Sequence, residues 1–252
     1  MLELNKVYNE DCIGSNGMCL IEDKSVDLVL CDLPYGTTQN KWDSIIPLDK
    51  LWEHYERIIK DNGAMVFTAR QPFTTALIMS NKKLFKYTMV WRKNLKSGNL
   101  NAKKRPMVGF EDIVIFYKKQ PTYNPQRVLR VGAKPGNKHN TSQTTNYGKQ
   151  NSEYVQIIDD DYCMPDDVLE IKCVHNSTGK LHPTEKPVEL MEWFIKSYTN
   201  EGDLVLDNCM GSSTTAVACK KLNRNYIGFE LDKTYFDLGQ KRLKDIFLND
   251  NI

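Results

Sequence analysis

LVLDNCMGSSTTAVA, residues 204–218, is the stretch on which the fold turns. An apolar strand pattern ends on Asp207, a turn of small residues follows, and a helical pattern begins at Ser213. That order sets a helix N-terminus over the end of a sheet, where nucleotide-like ligands lie in doubly wound α/β folds. Gly211 and the serines around it permit close backbone approach. The next strand pattern, NYIGFE (225–230), ends on Glu230, 23 residues after Asp207, where an acid can bind both hydroxyls of a ribose. A plain strand–turn–helix connection has the same form, so this stretch decides the fold class before it decides any ligand.

The rest of the chain repeats the alternation. Strand patterns occur at 26–32, 64–69 (AMVFTA), 86–91 (KYTMVW) and 112–117 (DIVIFY). Helical stripes fall on 48–59, stopped by Asn62-Gly63, and on 72–80, with Pro72 in the first turn. RKNLKSGNLNAKKRPMVGFE (92–111) reads as a loop. Beyond Lys118 periodicity fades until Pro187 opens a helix carrying Leu190, Met191, Phe194 and Ile195; the last helical pattern covers Thr234 to Phe247. The expectation is an α/β fold with a doubly wound, mostly parallel sheet, interrupted by an insertion. Its divisions are 1–118, 119–178 and 179–252.

At residues 31–36 the chain reads CDLPYG, directly after the apolar run SVDLVL. Asp32 is placed to accept a hydrogen bond from an exocyclic amino group, and the carbonyl of Leu33 or Pro34, fixed by the proline ring, to accept a second. With both N–H bonds held, the nitrogen lone pair turns out of conjugation. Tyr35 can stack on a base flipped out of its duplex. A strand-ending turn with proline and glycine is the ordinary reading of the same letters, and Cys31 reads as packing. There is no GxxxxGK[ST] run, so a phosphate-cradling NTPase loop is unsupported. An adenosyl ligand without phosphate fits better; S-adenosylmethionine is one, and its charged methionine end suits Asp207.

Charge points the same way. The net charge of +2 conceals a balance of +14 from Lys82 to Ser152, where Glu111 and Asp112 are the only acids, against −12 elsewhere. A basic middle third suggests a polyanion partner, nucleic acid first. The 252 residues hold no apolar run long enough to span a membrane, and MLELNKVYNEDC lacks the form of a signal peptide. Seven cysteines without a CxxC pair read as reduced thiols of a cytoplasmic protein. The spacing of Cys163, Cys173, His175 and His182 fits no common zinc pattern, so no metal is expected.

Taken in order, these motifs resemble the amino-methylating DNA methyltransferases of the β arrangement, in which the catalytic motif precedes the target-recognition region and the cofactor motif comes last. Asp32-Leu33-Pro34-Tyr35 resembles the family's DPPY. His182-Pro183-Thr184-Glu185-Lys186-Pro187 is similar to its HPTxKP, and Asp207 to Thr215 (DNCMGSSTT) to its DPFxGSGTT. Asp11-Cys12 resembles the element that holds the adenine of the cofactor. DLPYGTTQNKWD looks especially like methyltransferases carried by phages and prophages. The resemblance covers roughly 3–118 and 179–247.

It implies a seven-stranded, Rossmann-like methyltransferase sheet, circularly permuted with its catalytic half first. It implies S-adenosylmethionine bound by Asp11, Cys12, Asp32, Lys186, Asp207, Asn208, Cys209, Gly211, Ser212, Ser213, Thr214, Glu230 and Leu231, with Asp32, Pro34 and Tyr35 catalytic. Ser213 stands where the family has a glycine that serves close packing or an unusual backbone angle. An acid at the head of the motif leans toward the N6 of adenine. N4 of cytosine is the alternative within the class, and a DNA-binding protein that has lost catalysis is the alternative outside it. Double-stranded DNA is the expected partner, no membrane is, and a homodimer and a separate restriction endonuclease on another chain stay open.

Arg92, Lys93, Lys96, Lys103, Lys104 and Arg105 read as a mobile loop gripping phosphates. Residues 119–178 read as the target-recognition region, with Arg127, Arg130, Lys134, Lys138, Asn140, Gln143 and Asn146 offering side chains for base edges.

Overall fold

The computed structural model describes residues 2–38, 40, 43–131, 161–174 and 185–249. Lys134, Lys138, Asn140, Gln143, Asn146, His175 and the His182-Pro183-Thr184 half of the HPTEKP segment lie outside them. Two compact units emerge: residues 1–124 with 167–252, and residues 125–166.

The larger unit is built on a sheet of eight strands: β1 (Lys6–Tyr8), β2 (Val26–Asp32), β3 (Ile59–Ala69), β4 (Phe85–Ser97), β5 (Val108–Tyr117), β8 (Val168–Glu170), β9 (Leu204–Asp207) and β10 (Asn225–Phe229). Their order is β1-β10-β9-β2-β3-β5-β4-β8, with β5 antiparallel to both its neighbours and every other pair parallel. Seven strands therefore make the expected mostly parallel sheet, and β8 adds an eighth at the edge beside β4.

The central strands are buried on both faces, which is why they read as continuous Val/Leu runs. Leu28, Leu30, Val66, Ile113 and Ile115 face α3 (Val188–Tyr198), α4 (Thr214–Lys221) and α5 (Lys233–Asn249); Val29, Cys31, Met65, Phe67, Val114 and Phe116 face α1 (Leu48–Ile58) and α2 (Phe73–Ser80). Residues one apart alternate between the two cores, as a pleated strand requires. Among the described residues no helix is long and apolar enough to cross a membrane.

Three local expectations change. The first helix ends at Ile58, and Asn62-Gly63 lies inside β3, where the register slips from Val26↔Ile59 to Leu28↔Ala64. The stop signal is a bulge in a strand, because pairing with β2 outweighs local turn preference. Pro72 stands just ahead of α2 rather than within its first turn. Half of the expected loop 92–111 is strand: Arg92 pairs with Phe110 and Ser97 with Val108, so β4 and β5 run on as a two-stranded arm with its turn at 98–107. Its polar letters concealed it, since an arm exposed on both sides shows no apolar period.

The smaller unit contains β6 (Val128–Leu129) paired antiparallel with β7 (Tyr162–Cys163). Arg127 donates to the Tyr162 carbonyl at 3.0 Å and lies 6.0 Å from that ring, and Arg130 donates to the same carbonyl at 3.3 Å. β8 lies within the 119–178 segment yet belongs to the larger unit.

Candidate functional site

β2 and β9 are parallel neighbours, with Leu28 opposite Val205 and Val29 opposite Leu206. Both strands end on the same edge of the sheet, so Asp32 and Asp207 emerge side by side. From this seam the chain continues to β3 on one side and β10 on the other, the switch point at which open α/β sheets bind ligands.

Asp32 Oδ1 accepts from the Tyr35 hydroxyl at 2.7 Å and, at a short contact, from the Thr68 hydroxyl of β3; Oδ2 accepts from Lys186 Nζ at 2.6 Å. An ionised carboxylate offers about four acceptor positions. Three are used, and the fourth lies on Oδ2. The Tyr35 ring stacks on Phe73 at 5.4 Å, and burial, then Asp32 and Glu111, push the phenol well above its ordinary pKa, so that it stays a donor. The turn is braced by Asp43, whose carboxylate accepts the backbone N–H groups of Gly36, Thr37 and Thr38 at 2.9, 2.9 and 2.6 Å. Burial opposes the charge on Asp43, and the Thr38 side chain together with these backbone donors outweighs it and holds its pKa below the usual value.

Lys186 is the centre of a buried charge network. Its ammonium lies 3.3 Å from Glu111 Oε2 on β5, and Glu111 Oε1 in turn meets Lys93 of β4 in a short ion pair. Lys186 is 7% exposed and Glu111 8%. Burial works against both charges, yet Asp32 and Glu111 raise the Lys186 pKa above the ordinary lysine range, while Lys186 and Lys93 lower that of Glu111. Two cations and two anions alternate along Lys93–Glu111–Lys186–Asp32; the Lys186–Glu111 link is an ion pair alone, and buried Glu111 Oε2 accepts no hydrogen bond among the described residues.

The β9 turn forms the second half of the site. Asp207 accepts from the Cys209 N–H at 3.0 Å and the Thr215 hydroxyl at 2.6 Å, and burial raises its pKa to about 6. Glu230, at the end of β10, accepts the Gly211 N–H at 2.7 Å and the Asp232 N–H at 2.8 Å, each of its oxygens keeping further acceptor capacity. Gly211 has φ +52°, and a Cβ there would have no neighbour within 4 Å, so the turn opens onto free space at Gly211. An acid at each strand end, bare backbone between them and no phosphate-binding loop suit an adenosyl group with free ribose hydroxyls and a cationic tail. Asn9 donates to the carbonyls of Glu230 and Leu231 at 2.8 and 3.1 Å, which brings Asp11-Cys12 alongside.

The sequence profile of the N6/N4 methyltransferase family, described as DNA methylase, matches residues 26–241. The chain belongs to the N6/N4 DNA methylase family. It is 30% identical to the type II methyltransferase M1.MboII of Moraxella bovis, across 99% of this chain and 100% of that protein. It is 29% identical to the DNA adenine methyltransferase YhdJ of Escherichia coli K12, over 88% of this chain and 78% of that one. The crystal structure of the M1.HpyAVI–SAM complex superimposes with a TM-score of 0.63 at 26% identity, covering 94% of this methylase and 98% of that chain.

Residues named from the sequence of this methylase divide into those the fold gathers and those it does not. Asp32, Pro34, Tyr35 and Lys186 meet at one strand end, and Asp207, Gly211 and Glu230 at the neighbouring turn. Lys186, grouped by its motif with the cofactor residues, has its ammonium on Asp32 and Glu111. Asn208 is buried, accepting from Tyr55 at 2.6 Å, with its amide nitrogen 3.6 Å from the sulfurs of Cys12 and Cys209. Its side chain joins the turn to α1. Ser212 and Thr214 are tied to Arg242 of α5, which also pairs with Glu185 at 2.9 Å. The side chain of Leu231 is 72% exposed.

Of the six basic residues of the arm, Lys93 departs from the phosphate-gripping expectation, because Glu111 holds its ammonium inside. Arg92 pairs with Glu170, and Lys96, Lys103, Lys104 and Arg105 are exposed. Sequence reasoning missed Thr68, Asp43, Glu111 and Arg242. Glu111 had left one signal: with Asp112 it supplies the only acids in the basic stretch, and an acid set among cations is where an ion pair forms.

Ser213 takes the left-handed conformation, φ 62°, that its glycine equivalent adopts freely. Its side chain fits because α5 presents Gly239, where an added Cβ would stand 2.2 Å from Ser213 Oγ. Gly239→Ala is therefore expected to destabilise the fold by about 1–3 kcal/mol, the usual cost of overpacking. Adding Ser213→Gly should recover most of that loss in denaturant titrations. Additive losses would disprove the contact.

Proposed function

We propose that this methylase transfers a methyl group from S-adenosylmethionine to the exocyclic N6 of adenine in double-stranded DNA, the adenine being flipped into the cleft between Asp32 and Asp207. The observation that carries the reading is the state of Asp32: three donors orient its carboxylate, and one acceptor position remains on Oδ2. S-adenosylmethionine supplies the electrophilic methyl group. The protein's part is to aim the nitrogen. Asp32 Oδ2 takes one amino N–H, and the Leu33 or Pro34 carbonyl takes the other. The lone pair is then released from the ring, and Tyr35, backed by Phe73, forms a wall against the base. Lys186 and Thr68 keep the carboxylate from swinging away.

Support for adenine comes from the acid at the head of the motif and from the name of YhdJ. Support for S-adenosylmethionine comes from the open turn at Gly211, flanked by Asp207 and Glu230. A type II system would add a separate endonuclease on another chain. Incubation with genomic DNA and labelled S-adenosylmethionine, followed by nucleoside analysis and modification-aware sequencing, should yield N6-methyladenine at one sequence. N4-methylcytosine would overturn the base assignment. No label, together with no thermal shift by S-adenosylmethionine, would leave a catalytically silent DNA-binding fold.

Cofactor binding should depend on pH. In the free protein the Asp207 pKa is raised to about 6, so the folded state loses stability as pH rises from the ordinary carboxylate range through that value. A ligand with a cationic end selects the ionised form, and protons compete with it. Affinity for S-adenosylmethionine is expected to fall by up to about tenfold per unit below pH 6. Calorimetric titrations should trace this fall, and Asp207→Asn should flatten it. A wild-type affinity constant from pH 5 to pH 8 would remove Asp207 from the binding site.

A further inference from the structure

The arm formed by β4 and β5 ends in an apolar tip on a cationic stem. Leu100 is fully exposed, at the middle of a 3-10 turn over Asn99–Asn101. The turn is well formed: the N–H groups of Asn101 and Ala102 bond to the Gly98 and Asn99 carbonyls at 3.0 and 3.1 Å, and those of Lys104 and Arg105 to the Asn101 carbonyl at 2.9 and 3.0 Å. Leu100 is thus held outward by an ordered backbone, with exposed Lys96, Lys103, Lys104 and Arg105 around it.

Topology fixes where the arm starts. β5 is antiparallel to β3 and to β4, so β4 runs in the same direction as β2 and β3, and its C-terminal end leaves the sheet on the edge where Asp32 stands. The root of the arm, Lys93 with Glu111, is joined to Asp32 through Lys186. From Lys93 to Ser97 four residues of strand reach on the order of 13 Å, and the turn continues beyond them.

We propose that Leu100 is the wedge that enters the base stack in place of the flipped nucleotide, while the four cations around it hold the flanking phosphates. The inference rests on the base-flipping reading above and adds a residue to it. Phosphate-binding elements that part a duplex place an apolar side chain between base steps, and Leu is among those used. The cationic surround selects a polyanion over an apolar protein partner.

The test uses the full-length protein and two duplexes carrying the methylation sequence mapped as above: one fully paired, one with the target base opposite an abasic site. A base without a partner is already loosened, so it needs no wedge. Leu100→Ala is expected to lower kcat/KM on the paired duplex by about tenfold or more, and to match wild type within about twofold on the abasic one. Equal losses on both duplexes would make Leu100 a general contact, and no loss on either would make it a bystander; each overturns the wedge. If wild type methylates neither duplex, the base-flipping reading itself fails and the wedge with it.

Discussion

Asp32→Ala is expected to reduce the single-turnover rate of methyl transfer by about a hundredfold to a thousandfold, while S-adenosylmethionine still stabilises the variant as it does wild type. The size follows from the role proposed for Asp32, a fixed acceptor for the amino group: removing one preorganised partner of a developing charge costs about 10²–10³. Removal also releases Lys186, whose ammonium then has Glu111 alone on that side. Asp32→Asn keeps the shape but sets an amide against the ammonium, and should be nearly as slow. The Gly211 turn and Glu230 do not touch Asp32, so thermal shift by S-adenosylmethionine separates lost chemistry from lost binding. A variant that methylates at the parent rate would end the assignment of Asp32.

Glu111→Ala should be the most destabilising substitution in the catalytic half, by about 3–5 kcal/mol, because it leaves two largely buried ammonium groups without the carboxylate between them. Urea unfolding is the measurement. Its pH dependence carries a second signature. The Glu111 pKa is lowered in the folded state, so its stabilisation is present above the ordinary carboxylate range and is lost as pH falls through the folded value. The Lys186 pKa is raised, so its stabilisation is present below the ordinary lysine range and is lost only as pH rises through the folded value. Between these limits the wild-type advantage should hold, and on the acid side the two proteins should converge. A difference under about 1 kcal/mol at neutral pH would show that the network merely offsets its own desolvation.

How much of this was legible beforehand depends on the range of the signal. Strand-plus-turn patterns at Asp32, Asp207 and Glu230 are local: an apolar run stops, a particular acid follows, and small residues open the turn. Such patterns survive as sequence because the buried strands must be apolar on both faces. β1 and β8, three residues each, are too short for any period to register, and they form because a neighbouring strand offers backbone partners. The β4–β5 arm was hidden for a related reason, since strands with no buried face carry no alternation.

The doubly wound class, the two acid-ended strands at Asp32 and Asp207, and the excess of positive charge from Lys82 to Ser152 could all be read from local stretches of sequence. Which cation does what came with the assembled sheet: Lys93 turned inward to Glu111, Lys186 became the partner of Asp32 across 154 positions, and Lys103, Lys104 and Arg105 stayed exposed in the turn that carries Leu100. The physical reason is that a lysine's role is set by whether a carboxylate reaches its ammonium and excludes water from it. That depends on which strands become neighbours, and no local stretch of chain contains that information.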